Sequence, residues 1–141
     1  MTALLERPAL VLDTNILLDV WVFGDAVAAP LIAGLPQSQW RWLATAPMRE
    51  ELARVMAYPQ IVKSLTHHQI KPQTVLDLFD AHAEMTAVAP KASVTCKDPD
   101  DQKFIDLAVA HRALLLSKDH AVLSMAKRLL AQGVIARAAI N

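Results

Sequence analysis

The segment Ala9-Leu10-Val11-Leu12-Asp13, an unbroken apolar run closed by a carboxylate, constrains the fold more than any other stretch of this chain. A strand that is apolar on both faces has to be covered on both faces, the situation of a strand inside a parallel sheet. Two further runs read as strands. In QWRWLATA, Trp40 and Trp42 alternate with Arg41 and Leu43, and ALLLS spans Ala113 to Ser117. Helix-length segments separate them. GDAVAAPLIAGLP (24–36) is read as helical, with Pro30 a boundary or kink and Gly34-Leu35-Pro36 a stop. Pro47 opens a helix that ends at Tyr58-Pro59, because the residue before a proline is pushed out of helical geometry. Helical stretches follow over about 61–65, 72–85, 99–112 and 121–132, with TAVA (86–89) a short strand and GVIARAAI an edge strand. Strands alternating with helices predict right-handed crossovers and an α/β fold, its mainly parallel sheet covered on both faces. Ligands of such sheets bind beyond the carboxyl ends of the strands. Asp13 stands at that end of the first strand and Asp119 just past ALLLS.

Length and composition narrow the class. The 141 residues are expected to form a single domain, 1–141, and at 54% apolar residues the chain can bury a real core. Its 14 basic and 14 acidic residues cancel, so a nucleic-acid partner has to be held by a local patch. One cysteine, Cys96, excludes an internal disulfide and fits a reducing compartment. The first apolar run is too short for a secretory signal, and no stretch reaches the roughly 20 apolar residues that span a bilayer. A cytoplasmic protein with no membrane partner is expected.

Helical periodicity sorts the acids. At about 100° per residue, Met48, Leu52, Val55 and Met56 form the inward stripe of the helix opened by Pro47. Glu51 borders that stripe, and Glu50 falls nearly opposite it. In DPDDQKFIDLAVAH, Asp101 leads the stripe of Phe104, Ile105 and Ala108, Asp106 lies on the far face, and Asp98-Pro99 reads as an N-cap and first-turn proline. Taken singly, each acid has a structural reading. Asp13 can cap a turn after its strand, Asp119 can cap the next helix, Glu51 can be a surface glutamate, and Asp101 stands at capping-box spacing from Asp98. Taken together, four acids aimed at one sheet edge repel unless something neutralises them. Mg²⁺ and Mn²⁺ take hard oxygen ligands and would serve, enabling hydrolysis of a phosphodiester.

At these residues the chain resembles the PIN domain family of metal-dependent ribonucleases, and most of all its bacterial toxin–antitoxin branch. VLDTNILLD, REELARVMAYP, DPDDQKFIDLA and LLLSKDHAVL carry the likeness, in order, across residues 11–123. The resemblance implies a three-layer α/β/α sandwich and an endoribonuclease acting on RNA. It implies Mg²⁺ or Mn²⁺ held by Asp13, Glu51, Asp101 and Asp119, and a cognate antitoxin protein as partner. Thr14 and Asn15 match polar positions that orient the first carboxylate or its waters, and Ser117 matches the hydroxyl residue before the fourth acid. The chain departs from the pattern where relatives often carry another acid, here Ala121, where Gln102 replaces a common Asn, and in its last segment. Asp100 is an alternative to Asp101.

Rival readings are weaker. A haloacid-dehalogenase-type phosphatase needs a second Asp where Asn15 stands. Zinc hydrolysis needs grouped His and Cys ligands, and His67-His68 have no matching pair. His82 and His111 sit on apolar stripes and read as core or supporting residues, and Cys96 as a small buried or loop thiol. The rival from another class is a PIN-like module that binds RNA or protein without cutting. Arg49 and Lys118 are candidate substrate contacts, and Arg54, Lys97 and Lys103 also flank the acidic motifs. Trp40 and Trp42 are assigned to strand packing rather than base stacking. A homodimer is expected through the helices around 61–83, with Val75, Leu76 and Phe79 on its face.

Overall fold

A computed structural model describes residues 7–24 and 40–139. Five parallel strands, β1 (Ala9–Leu12), β2 (Arg41–Ala44), β3 (Glu84–Met85), β4 (Leu114–Leu116) and β5 (Ile135–Arg137), pair in the order β3-β2-β1-β4-β5. The helices are α1 (Thr14–Trp21), α2 (Ala46–Val55), α3 (Pro59–His67), α4 (Pro72–His82), α5 (Gln102–His111), α6 (His120–Leu123) and α7 (Ala126–Ala131). A 3₁₀ turn at Pro99–Asp101 leads into α5. Proline stands in the first turn of α2, α3, α4 and the 3₁₀ turn, where its missing N–H costs nothing.

The strand order explains where a site can form. From β1 to β2 to β3 the chain steps one way across the sheet, and from β3 to β4 to β5 it steps back the other way. Right-handed crossovers therefore place α1 to α4 on one face and α5 to α7 on the other, which makes the expected three-layer α/β/α arrangement. The packing agrees: α2 lies against α1 and α4, α5 against β1 and β4, and α7 against β5. The direction reverses between β1 and β4. Loops leaving the carboxyl ends of those two strands diverge to opposite faces and leave a crevice.

β1 is the middle strand, and Leu10, Val11 and Leu12 are buried as the apolar run requires. Leu10, Val11 and Leu12 pair in register with Leu114, Leu115 and Leu116. Trp42 of β2 is buried edge-on against Phe79, ring centroids 5.0 Å apart, and 5.7 Å from Trp21, so packing is its role. Among the described residues no helix is long and apolar enough to cross a membrane.

Several expectations need correction. The strand read at 86–89 lies two residues earlier, at Glu84–Met85, where both side chains are exposed at the sheet edge. The last helix is two, interrupted at Ser124 and Met125. Val75 and Phe79 are buried inside the chain, so they cannot form a dimer face. His111 ends α5 exposed rather than in the core, because Arg112 turns left-handed (φ 51°) immediately after it. The helix expected over 24–36 lies, apart from Gly24, outside the described residues.

Candidate metal centre

The crevice between β1 and β4 is lined by acids. Asp13 extends the β1–β4 ladder by one residue, its N–H donating to the Leu116 carbonyl at 3.0 Å. The 3₁₀ turn swings Asp101 in at the head of α5, and Asp119 lies just beyond β4. Asp13, Asp101 and Asp119 each offer a carboxylate oxygen, and these oxygens lie within 4.8 Å of one another. Asp13 and Asp101 are buried, at 4% and 7% exposure. Asp101, not the exposed Asp100, is the acid that enters this group.

Ser117, fully buried, ties two of the three together. Its hydroxyl donates to Asp13 Oδ2 at 2.6 Å and accepts the Asp119 N–H at 3.0 Å. Asp119 also caps α6 by accepting the Ala121 N–H at 2.9 Å, so its structural and site readings coexist. Asp98 caps the 3₁₀ turn through the Asp100 N–H. Neither Asp13 nor Asp101 makes a side-chain cap hydrogen bond to the helix behind it, although the Asn15 backbone pulls weakly on Asp13.

The electrostatics derive from burial. Removal from water raises the Asp13 pKa, the Ser117 hydrogen bond opposes this, and the charges of Glu51 and Asp119 add to the rise. The Asp101 carboxyl is pushed up to about 8, first by burial, then by its hydrogen bond with Asp119 and by the charges of Asp13, Asp119 and Asp98. Asp101 Oδ2 is buried with no hydrogen-bond partner. A native buried carboxylate oxygen is rarely left so, because desolvation without a partner is costly. Three converging carboxylates, one of which has an unpartnered buried oxygen, fit a hard divalent cation that needs few protein ligands.

Glu51 is placed differently from the reading in sequence. It reaches inward from α2 as its position on the stripe requires, but it is not one of the three converging acids. Lys103 donates to its Oε1 at 2.6 Å, and the Thr14 hydroxyl donates to its Oε2. Thr14 therefore orients Glu51 rather than Asp13, and the Asn15 side chain is exposed. Arg49 makes two parallel bonds to Asp80, at 2.7 and 2.8 Å, and Lys118 pairs with Asp19 at 2.5 Å. Each cation is thus held by a carboxylate of another element. The Lys103–Glu51 pair is hidden from sequence reading because the two residues lie on different elements. The only signal is that Lys103 comes two positions after Asp101.

In the sequence Gln102 is only a substitute for Asn, but its length has a use. Its Oε1 accepts the Cys96 N–H at 2.6 Å, while its Nε2 donates to the Val94 carbonyl at 3.0 Å and to Asp106 at 2.8 Å. Asp106 in turn accepts the Ala92 N–H at 2.9 Å. The two side chains pin the 92–96 segment to α5. Gln102→Ala is expected to cost about 1 kcal/mol and to speed hydrogen exchange at the Cys96 amide. Denaturant unfolding with amide exchange checks this, and an unchanged exchange rate would refute the clamp.

A PIN domain family model matches residues 9–121. Among solved structures, VapBC2 from Rickettsia felis bound to a DNA fragment from their promoter is similar, with a TM-score of 0.62 and 15% identity, over 91% of this chain and 96% of that chain. No curated protein sequence matches. The family match spans the first strand, all four acids named above and the 3₁₀ turn that delivers Asp101, and the chain belongs to the PIN domain family.

Proposed function

We propose that this chain is a metal-dependent endoribonuclease that hydrolyses RNA phosphodiester bonds, acting in the cytoplasm as the toxin of a toxin–antitoxin pair. The observation that carries the chemistry is the convergence of Asp13, Asp101 and Asp119 with one Asp101 oxygen left unpartnered. Those three side chains would hold Mg²⁺ or Mn²⁺. When bound, the ion supplies Lewis acidity that activates water and stabilises charge developing on the phosphate. Ser117 fixes the direction of Asp13 and the backbone of Asp119, so the donor set is oriented before an ion arrives. Thr14 holds Glu51 beside the three acids, where its charge adds to theirs. Lys118, next to Asp119, is the nearer of the two proposed phosphate contacts in sequence, and Arg49 the more remote. The antitoxin partner rests on family membership and on similarity to a protein whose structure is a VapBC2 assembly.

The test is cleavage of a mixed RNA pool by the purified protein with Mn²⁺, with Mg²⁺ and with EDTA. Cleavage that requires the ion and stops with EDTA is expected. Undiminished cleavage in EDTA would defeat the metal reading. Metal binding without cleavage of any RNA would transfer the weight to a non-catalytic PIN-like module.

A further inference from the structure

The four acids of this site fall into two unequal halves. On one side, Asp13, Asp101 and Asp119 converge, and Asp101 Oδ2 is unpartnered. On the other, both oxygens of Glu51 are occupied, Oε1 by the Lys103 ammonium at 2.6 Å and Oε2 by the Thr14 hydroxyl. The pair is largely shielded, at 23% and 12% side-chain exposure for Lys103 and Glu51, so water screens it little. Lys103 is held from other sides too. It donates to the Asp100 carbonyl at 2.5 Å, and its ammonium lies 5.0 Å from the centre of the Phe104 ring.

We propose that Lys103 is the site's built-in second cation, filling the Glu51 side so that the resting site takes a single divalent ion on Asp13, Asp101 and Asp119. The proposal rests on the metal-site reading above and deepens it. An ammonium is a compact point charge with three donors. Glu51 and the Asp100 carbonyl take two of these, which leaves one for an oxygen of an incoming phosphodiester. A divalent ion on Glu51 would lie against the Lys103 ammonium, and the two like charges would repel unless Lys103 left. Such an ion would also find no help from Ala121, which has no oxygen to offer from its side chain. Glu51 is on this view a positioning residue, which holds Lys103 rather than the resting ion.

Mn²⁺ titration of the metal-free protein, followed by calorimetry and by electron paramagnetic resonance, separates the possibilities without any cleavage assay. The wild type is expected to bind one ion. Glu51→Gln is expected to keep that ion with affinity lowered by no more than about tenfold, whereas Asp101→Asn lowers it by about 100-fold or more. Lys103→Met, with its fold checked by circular dichroism, is expected to admit a second, weaker ion that disappears in the Glu51→Gln/Lys103→Met double variant. Two ions in the wild type, or a single ion in folded Lys103→Met, would overturn the proposal and leave the metal site standing. If Lys103→Met does not fold, Glu51→Gln decides, and a loss as deep as that of Asp101→Asn overturns it. No Mn²⁺ bound to folded wild type would overturn both this proposal and the metal-site reading.

Discussion

Asp13→Asn is expected to lower RNA cleavage by about 10³-fold or more, because several kcal/mol of transition-state stabilisation depend on an ion held in place. The substitution is nearly isosteric. The Ser117 hydroxyl can still donate to the remaining carbonyl oxygen of the side chain, so the β1–β4 junction should keep its shape. What changes is charge. A buried carboxylate, already driven up in pKa by burial and by its acidic neighbours, becomes neutral, and the metal-free fold loses a source of repulsion. The two readings of Asp13 therefore diverge in cleavage. Were Asp13 chiefly a cap for α1, Asn, an equally good cap, would leave both cleavage and stability nearly unchanged. As a ligand, it is expected to lose cleavage and hold or gain stability, the usual exchange at functional sites. Cleavage rates and thermal unfolding in EDTA, measured on the same preparation, tell them apart. A folded variant that still cuts at the wild-type rate would end the ligand assignment.

Much of this site is legible in the sequence because its parts obey simple local rules. A continuous apolar run announces a strand covered on both faces, and Leu10 to Leu12 and Leu115 to Leu116 are buried accordingly. The 100° rule sets Glu51 apart from the exposed Glu50 and puts Asp101 on the inward side of its helix. Where local rules fail, the deciding contact is long-range. β3 is two residues with both side chains exposed, and it exists because β2 offers an edge to pair with, so no alternation marks it. Phe79 and Val75 form a good apolar stripe whether the surface that covers them belongs to this chain or to a second copy. Trp42 is that surface for Phe79. His111 continues an apolar stripe in the sequence, but the stripe stops where Arg112 leaves the helix. Lys103 and Glu51 meet only after the sheet has brought α5 and α2 to one crevice, so periodicity within either helix is silent about the pair. Ser117 stands out in the sequence through family resemblance, and its two-sided hydrogen bonding emerges only when β1 and β4 are side by side.

Metal-free stability is expected to fall as pH rises from about 4 to about 8, and Asp101→Asn is expected to flatten that fall. The sign is set by the proton held by Asp101. Its carboxyl titrates near 3.8 in the unfolded chain and is pushed up to about 8 in the fold, so between those values the folded state binds more protons than the unfolded state. Stability then decreases with rising pH and levels off once both states are ionised. Asp13, raised in the same direction, contributes to the same slope. The acids moved the other way, Asp80 beside Arg49 and Glu84 beside Arg41, act in acid solution, as pH falls below the ordinary carboxylate range, and leave the upper window clear. Asp101→Asn is expected to gain about 2 kcal/mol over the wild type at pH 8, several degrees in Tm, and little at pH 4. The same proton governs the ion. A cation on Asp101 has to expel it, so Mn²⁺ affinity should climb with pH up to about 8 and binding should release protons to the buffer. Melting curves of both proteins in EDTA from pH 4 to 9, with Mn²⁺ binding heats compared across buffers of different ionisation enthalpy, measure both effects. A Tm difference that does not change with pH would mean that Asp101 is ionised throughout, and the crevice would then need some other cation to hold its three acids together.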